Sequence, residues 1–129
     1  MPKQFRLADY DIVGFVAASN PERARKFYGE VLHLPLVSEE LPFALVYDAH
    51  GIMLRVTILE KVHVAGHTVL GWKVPDVKAA ATALREAGVQ FERYEGMTQD
   101  DLGIWSAPSG SRVAWFKDLD GNTLSISQH

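Results

Sequence analysis

The sequence predicts an α+β fold made of two βαβββ modules within a single domain spanning 1–129, and three observations carry that reading. First, residues 11–32 are repeated 56 positions later: Val13 falls on Val69, Val16 on Trp72 and Ala18 on Val74. Second, Asn20 and Asp76 coincide in that register, each a helix-capping residue, and behind them Ala24 meets Ala80 and Tyr28 meets Leu84. Third, each helical stretch is followed by three short strand-forming runs separated by turn residues. Two similar units, neither able to bury its apolar face alone, must pack together and can leave a cleft between them.

The elements follow in order. Residues 11–18 are a short apolar run rich in strand formers. Asn20 caps a helix through its side-chain oxygen, and Pro21 suits the first helical position because the N–H it lacks would have no partner there. Ala24, Phe27, Tyr28, Val31 and Leu32 recur at helical spacing until Pro35 stops the helix. Strands are expected at 36–39, 43–48 and 53–59, with His50-Gly51 turning between the last two. Residues 60–66 join the modules, which occupy about 10–60 and 67–128. The second unit has a strand at 68–74, a helix capped by Asp76 with Val77, Ala80, Ala81 and Leu84 on one side, and Gly88 as its left-handed terminator. Strands are then expected at 89–94 and 112–117, and Asp120-Gly121-Asn122 makes a tight hairpin into 123–127. Only this second unit carries an insertion, 95–111, polar and turn-rich apart from Ile104-Trp105, and it reads as a loop or flap.

Composition narrows the function. A net charge of −3 offers no general attraction to nucleic acid or to an anionic membrane. The absence of cysteine removes thiolate nucleophiles, thiolate metal sites and disulfides. No apolar run approaches the ~20 residues of a membrane span, and the first residues lack the apolar core of a secretory signal. A cytoplasmic protein with a small-molecule ligand is the expectation.

Paired βαβββ modules, with FYGEVLHLPL at the end of the first helix and WFKDLDGNTLSI at the end of the chain, resemble the vicinal oxygen chelate superfamily of glyoxalase I, extradiol dioxygenases, and fosfomycin- and bleomycin-resistance proteins. The strings F-Y-x-x-V-L-x-L and D-x-D-G-N carry the likeness, which covers about 10–127. It implies that each module curls into a half-barrel, that two halves enclose a ligand cavity, and that the protein is a homodimer, as many members are. Whether two modules of one chain pair, or modules of two chains, stays open, since both arrangements bury the same faces. The fold hosts several chemistries, so membership alone names no reaction.

Metal-using members place a ligand on the first and last strands of each module. Carried over by motif, those positions fall on Val13, Arg55, Val69 and Ser125. Two valines have no lone pair to donate, an always-protonated guanidinium repels a cation, and a neutral serine binds weakly. Slipping each strand by one residue creates no better donor set. No metal and no other cofactor is therefore expected. Strand alternation places Phe15, Arg55, Trp115 and Ser125 on the faces that carry those four positions, while Val16, Leu54, Val56, Phe116, Leu124 and Ile126 point the other way, under the helices.

The expected ligand-binding cleft thus comprises Phe15, Tyr47, Arg55, Trp105, Trp115 and Ser125, with Tyr47 at its rim and Trp105 on the flap. It suits a small, partly aromatic, anionic molecule. Arg55 offers a planar fork of donors to a carboxylate or phosphate; its alternative role is to pair with a nearby Asp or Glu. Asp118 and Asp120 are expected to shape the Asp-Gly turn. A binding protein without catalysis is one function class. A superfamily enzyme, either metal-independent or with its active site elsewhere, is the other, and it would need a general base that this residue set lacks.

Overall fold

The computed structural model describes residues 4–129 and shows two four-stranded sheets, each carrying one principal helix. Sheet A runs β1 (Val13–Ala18), β4 (Ile52–Ile58), β3 (Ala44–Ala49), β2 (Leu36–Glu40). Sheet B runs β5 (Thr68–Lys73), β8 (Thr123–Gln128), β7 (Arg112–Lys117), β6 (Trp105–Ser106). In each the outermost pair, β1/β4 or β5/β8, is parallel and the rest antiparallel. The two βαβββ units of the sequence repeat are therefore present, and the fold is α+β.

Both helices start as their caps dictate. The Asn20 side chain accepts from the Arg23 amide at 3.1 Å and the Asp76 side chain from that of Ala79 at 3.0 Å. Helix α2 (Val77–Glu86) ends at Gly88, whose φ of 99° is open to a residue without Cβ. Helix α1 (Pro21–Ala24) departs from expectation: it widens into a π-helical segment, Arg25–Val31, that buries the adjacent Phe27 and Tyr28 together.

The second unit also differs from its reading. Residues 89–94 form no strand; Phe91 makes a single bridge to Phe116, and the Glu92 amide reaches the Trp115 carbonyl at 2.7 Å. The edge place goes instead to Trp105–Ser106, inside the stretch expected to be a loop, which pairs with β7. Tertiary contacts override local propensity here. Gln99 ties the loop back by accepting from the Tyr94 amide and donating to the carbonyls of Glu92 and Gly103. Ile104 is buried as an anchor, which fixes Trp105 beside Val113.

The helix-facing sides of both sheets share one core. Val16, Leu54 and Val56 of sheet A and Phe116, Leu124 and Ile126 of sheet B are buried in it, as the alternation predicts, with Phe27 and Tyr28 from the first helix and Val77 and Ala81 from α2. Phe27 lies 6.5 Å from Phe116 and Tyr28 lies 6.2 Å from Tyr47, centroid to centroid, so the first helix touches both sheets. A buried polar joint reinforces this contact. Asp118 Oδ2 accepts from the Tyr28 hydroxyl at 2.5 Å and from Asn122 Nδ2 at 2.8 Å, while Oδ1 accepts from the amides of Asp120 and Asn122. Asn122 Nδ2 donates again to the Ala17 carbonyl, and Asp120 takes both the amide and hydroxyl of Ser19. Asp118 thus shapes the turn, as expected, and also joins the modules. Among the described residues no helix is long and apolar enough to cross a membrane.

Burial, then the charge of Asp118, pushes the Tyr28 phenol far above its ordinary value. An unfolded chain ionises this tyrosine near pH 10, whereas the folded chain keeps its proton, so the unfolded state binds fewer protons above that pH. Stability from this group is complete below about pH 10 and should fall by roughly 1.4 kcal/mol per pH unit above it. Denaturant titrations between pH 9 and 11, both values chosen to bracket roughly that ordinary pKa, should show the slope shrink in Tyr28→Phe. At neutral pH the same variant should cost about 1.5–3 kcal/mol, the worth of a hydrogen bond to a charged group. Asp118→Ala, which strands several buried donors at once, should cost more.

Candidate functional site

The faces turned away from the shared core carry the expected site residues other than Tyr47 in two groups. On sheet A, Phe15 of β1 lies opposite Arg55 of β4, and Val13 opposite Met53. Phe15 is 64% exposed and Val13 38%, so this face is open. Ala44 and Val46 are buried on the same side, opposite Thr57 and Arg55 in the ladder, and lie outside the shared core. Arg55 Nη2 meets Glu40 Oε1 at 3.0 Å. Its fork is thus half engaged by a carboxylate, and the pair lies at the solvent boundary, where it contributes little to stability.

On sheet B, Trp115 lies opposite Ser125 in the β7/β8 ladder, and Trp105 opposite Val113. The rings of Trp105 and Trp115 lie 6.0 Å apart, and Tyr94 stands edge-on to Trp115 at 5.6 Å. These are favourable aromatic geometries, and they form a continuous apolar platform. Ser125 sits over Gly71: a Cβ there would come within 2.6 Å of the serine hydroxyl, which would have to rotate away. Beside Trp115 lies a hollow of about 400 Å³ lined by residues 64–68, where the linker runs into β5, and by Tyr94, Trp115, Lys117, Gly121 and Thr123. Lys117, half exposed, stands 3.5 Å from Glu92.

Two site expectations change. Tyr47 is not at the cleft rim: it lies opposite Leu54 in the β3/β4 ladder, which turns it to the helix side, where it is fully buried. Among the described residues its hydroxyl has no hydrogen-bond partner, and burial raises its pKa. Trp105 belongs to a strand, where a loop was expected, and so stands at a fixed place beside Trp115. Tyr94 and His67 were not singled out for this site. Tyr94 reaches it where residues 89–94 leave the sheet, and His67 where the linker passes the turn at Gly121, and neither event has a signal in residue spacing.

The structure places the two groups on different sheets. No strand of sheet A runs alongside a strand of sheet B among the described residues, and the hollow beside Trp115 takes nothing from β1 or β4. Val13 and Arg55 therefore sit on one open face, Val69 and Ser125 on another. Among the described residues no three of His, Asp or Glu cluster closely enough to hold a metal ion. The four positions at which the resemblance places metal ligands are a poor donor set for a divalent cation.

The tryptophan pair makes a testable signature. Two indoles at this separation couple electronically, so the circular dichroism of the chain should carry a paired band that both Trp105→Phe and Trp115→Phe abolish. Persistence of the band in either variant would mean the two rings do not lie side by side as described.

Comparison with known proteins agrees with this architecture. The model of the Glyoxalase/Bleomycin resistance protein/Dioxygenase superfamily matches residues 11–126. No curated protein matches the chain's sequence. Solved structures do. A protein assigned to the glyoxalase family from Bacillus anthracis superposes with a TM-score of 0.75 at 14% identity, covering 100% of this chain and 99% of that one. Lactoylglutathione lyase from Agrobacterium tumefaciens gives a TM-score of 0.70 at 17% identity, over 91% of this chain and 92% of that one. TioX from Micromonospora sp. ML1 gives 0.67 at 21% identity, over 93% and 98% respectively. At these identities the likeness is one of fold.

Proposed function

The chain belongs to the Glyoxalase/Bleomycin resistance protein/Dioxygenase superfamily, and from that membership and the site geometry we propose that it binds a small, partly aromatic anion without a resident metal. The observation that carries this is the Tyr94–Trp115–Trp105 platform beside a hollow of about 400 Å³. Aromatic walls hold a planar ligand by stacking, and a few polar groups orient it. Lys117 on the hollow's wall and Arg55 on the matching face of module one are the cations available to a carboxylate or phosphate. Sequestration of this kind needs a shaped surface and no reactive group. The reading includes a cytoplasmic homodimer, in keeping with a superfamily whose members are commonly dimers.

One observation favours a second reading, that of an enzyme. His67 lines the same hollow, and an imidazole is the side chain best suited to general acid–base work near neutral pH. Proton abstraction next to a carbonyl would then show as deuterium wash-in from D2O into a bound aromatic keto acid, lost in His67→Ala.

Titration with small aromatic carboxylates, benzoate and its hydroxy derivatives among them, should change tryptophan fluorescence saturably. Trp115→Ala should weaken that binding by about tenfold or more, roughly 1.4 kcal/mol, and Lys117→Ala should weaken carboxylates more than their amides. A panel without one saturable response would end the proposal. Prior treatment with EDTA should leave the affinity unchanged; a loss restored by one divalent metal would overturn the metal-free part.

A further inference from the structure

We propose a second ligand site, separate from the hollow beside Trp115, that takes a small amphipathic carboxylate with an aliphatic body. It is a hollow of about 420 Å³ between the first helix and the segment that follows α2, with Lys26, Phe27, Val31, Val89, Lys117 and Leu119 in its lining. The inference goes beyond the binding reading above and does not rest on it. A volume of this size falls within the range of small-molecule sites, about 300–1,000 Å³.

Two departures from the sequence repeat meet at this place. In module one the residues after the helix enter the sheet as β2, whereas in module two the stretch 87–90 and Glu92 stay outside it and form a wall of the hollow. The facing wall is the π-helical segment. There the Leu32 amide reaches the Phe27 carbonyl, five residues back, at 2.9 Å. A turn closed at that spacing brings residues five apart toward one side of the helix, so Lys26 and Val31 line the hollow together. At the ordinary 3.6 residues per turn they would lie about 140° apart around the axis. Such widened turns are rare and concentrate at functional sites, and the hollow beside Trp115 makes no use of this one.

The lining specifies the ligand's chemistry. Phe27 and Val89 belong to the buried core and form an apolar floor, and Val31 and the half-exposed Leu119 extend it. No tryptophan or tyrosine takes part, so an aliphatic body suits this surface where a planar ring suits the platform. Two ammonium groups stand over that floor against one carboxylate, Glu92. Lys117 meets Glu92 at 3.5 Å, and Lys26 has no ion pair among the described residues. Glu22, four residues before Lys26, is engaged by Arg25 instead, at 2.6 Å. A net positive charge beside buried apolar surface is complementary to an anion with a hydrocarbon tail. The walls are set in advance: Arg23 Nη2 donates to the Leu119 carbonyl at 2.9 Å, the Val89 amide to the Leu84 carbonyl at 3.0 Å, and the Glu92 amide to the Trp115 carbonyl at 2.7 Å. Lys117 lines both hollows, so Lys26 is the cation that tells them apart.

Octanoate titrated into the full chain should bind saturably by calorimetry, and the amide resonances of Val31, Gly88 and Val89 should move with occupancy. Lys26→Met keeps the aliphatic stem and removes the charge; it should weaken octanoate by about fivefold and leave octanol unaffected. Ala87→Phe should block the site. Ala87 is an exposed residue of the lining, so the added ring enters the hollow and not the core, and an unchanged melting temperature checks that the variant is folded. The absence of saturable octanoate binding would overturn the proposal, as would wild-type affinity in Lys26→Met or octanol binding as tightly as octanoate. Shifts centred on Trp105 and Trp115, with Val31 and Gly88 unmoved, would place octanoate on the platform and equally overturn it. Failure of aromatic carboxylates to bind the platform would leave all of these readings standing, so the two proposals fail separately.

Discussion

The buried carboxylate of Asp118 is the constraint on which the arrangement of the two modules depends. It sits at the turn into the last strand, takes four donated hydrogen bonds, and so leaves no lone pair without a use. Two of those donors belong to its own hairpin backbone, one to the Asn122 side chain, and one to Tyr28 in the other module. A half-satisfied network of this kind in a low-dielectric core would cost more than an apolar core. The hairpin and the first helix must therefore meet in one relative position. Because Asn122 also bonds to Ala17 at the end of β1, that position fixes the sheets as well as the helix.

From this joint follows the direction in which each sheet faces. With the helix-covered sides committed to a common core, the remaining sides, which bear Arg55 and Trp115, face away from it. Sheet A offers an arginine already paired with Glu40 above buried Ala44 and Val46; sheet B offers an aromatic platform with a lysine at its edge. The same geometry explains why a chain of this size leaves so many large apolar side chains in water at its β1 edge.

The insertion in the second module changes the edge strand. In the first module the outer strand is β2, five residues long and joined to the helix by the short stretch 32–35. In the second, the residues following the helix leave the sheet, and a two-residue strand reached through the Gln99 and Asp100 loop takes the outer place. A shorter edge offers less template for unwanted pairing. It also delivers Trp105 to the platform and lets Tyr94 swing beside Trp115.

Much of this was legible in the residues. The repeat, the caps at Asn20 and Asp76, the turn at Gly121 and the alternation along β1, β4, β7 and β8 are local patterns with local physical causes, and they set the fold class and which side of each strand is covered. The same alternation placed Phe15, Arg55, Trp115 and Ser125 on the open faces. Tyr47 escaped it because a run of buried residues along β3 leaves no alternation to read. The strand at 105–106, the departure of 89–94 and the assembly of Tyr94 with two tryptophans depend on contacts between distant segments, for which single-residue propensities carry no information. The direction in which two otherwise similar modules face was likewise decided by tertiary structure, because a hydrophobic pattern specifies that a face is buried and not what buries it.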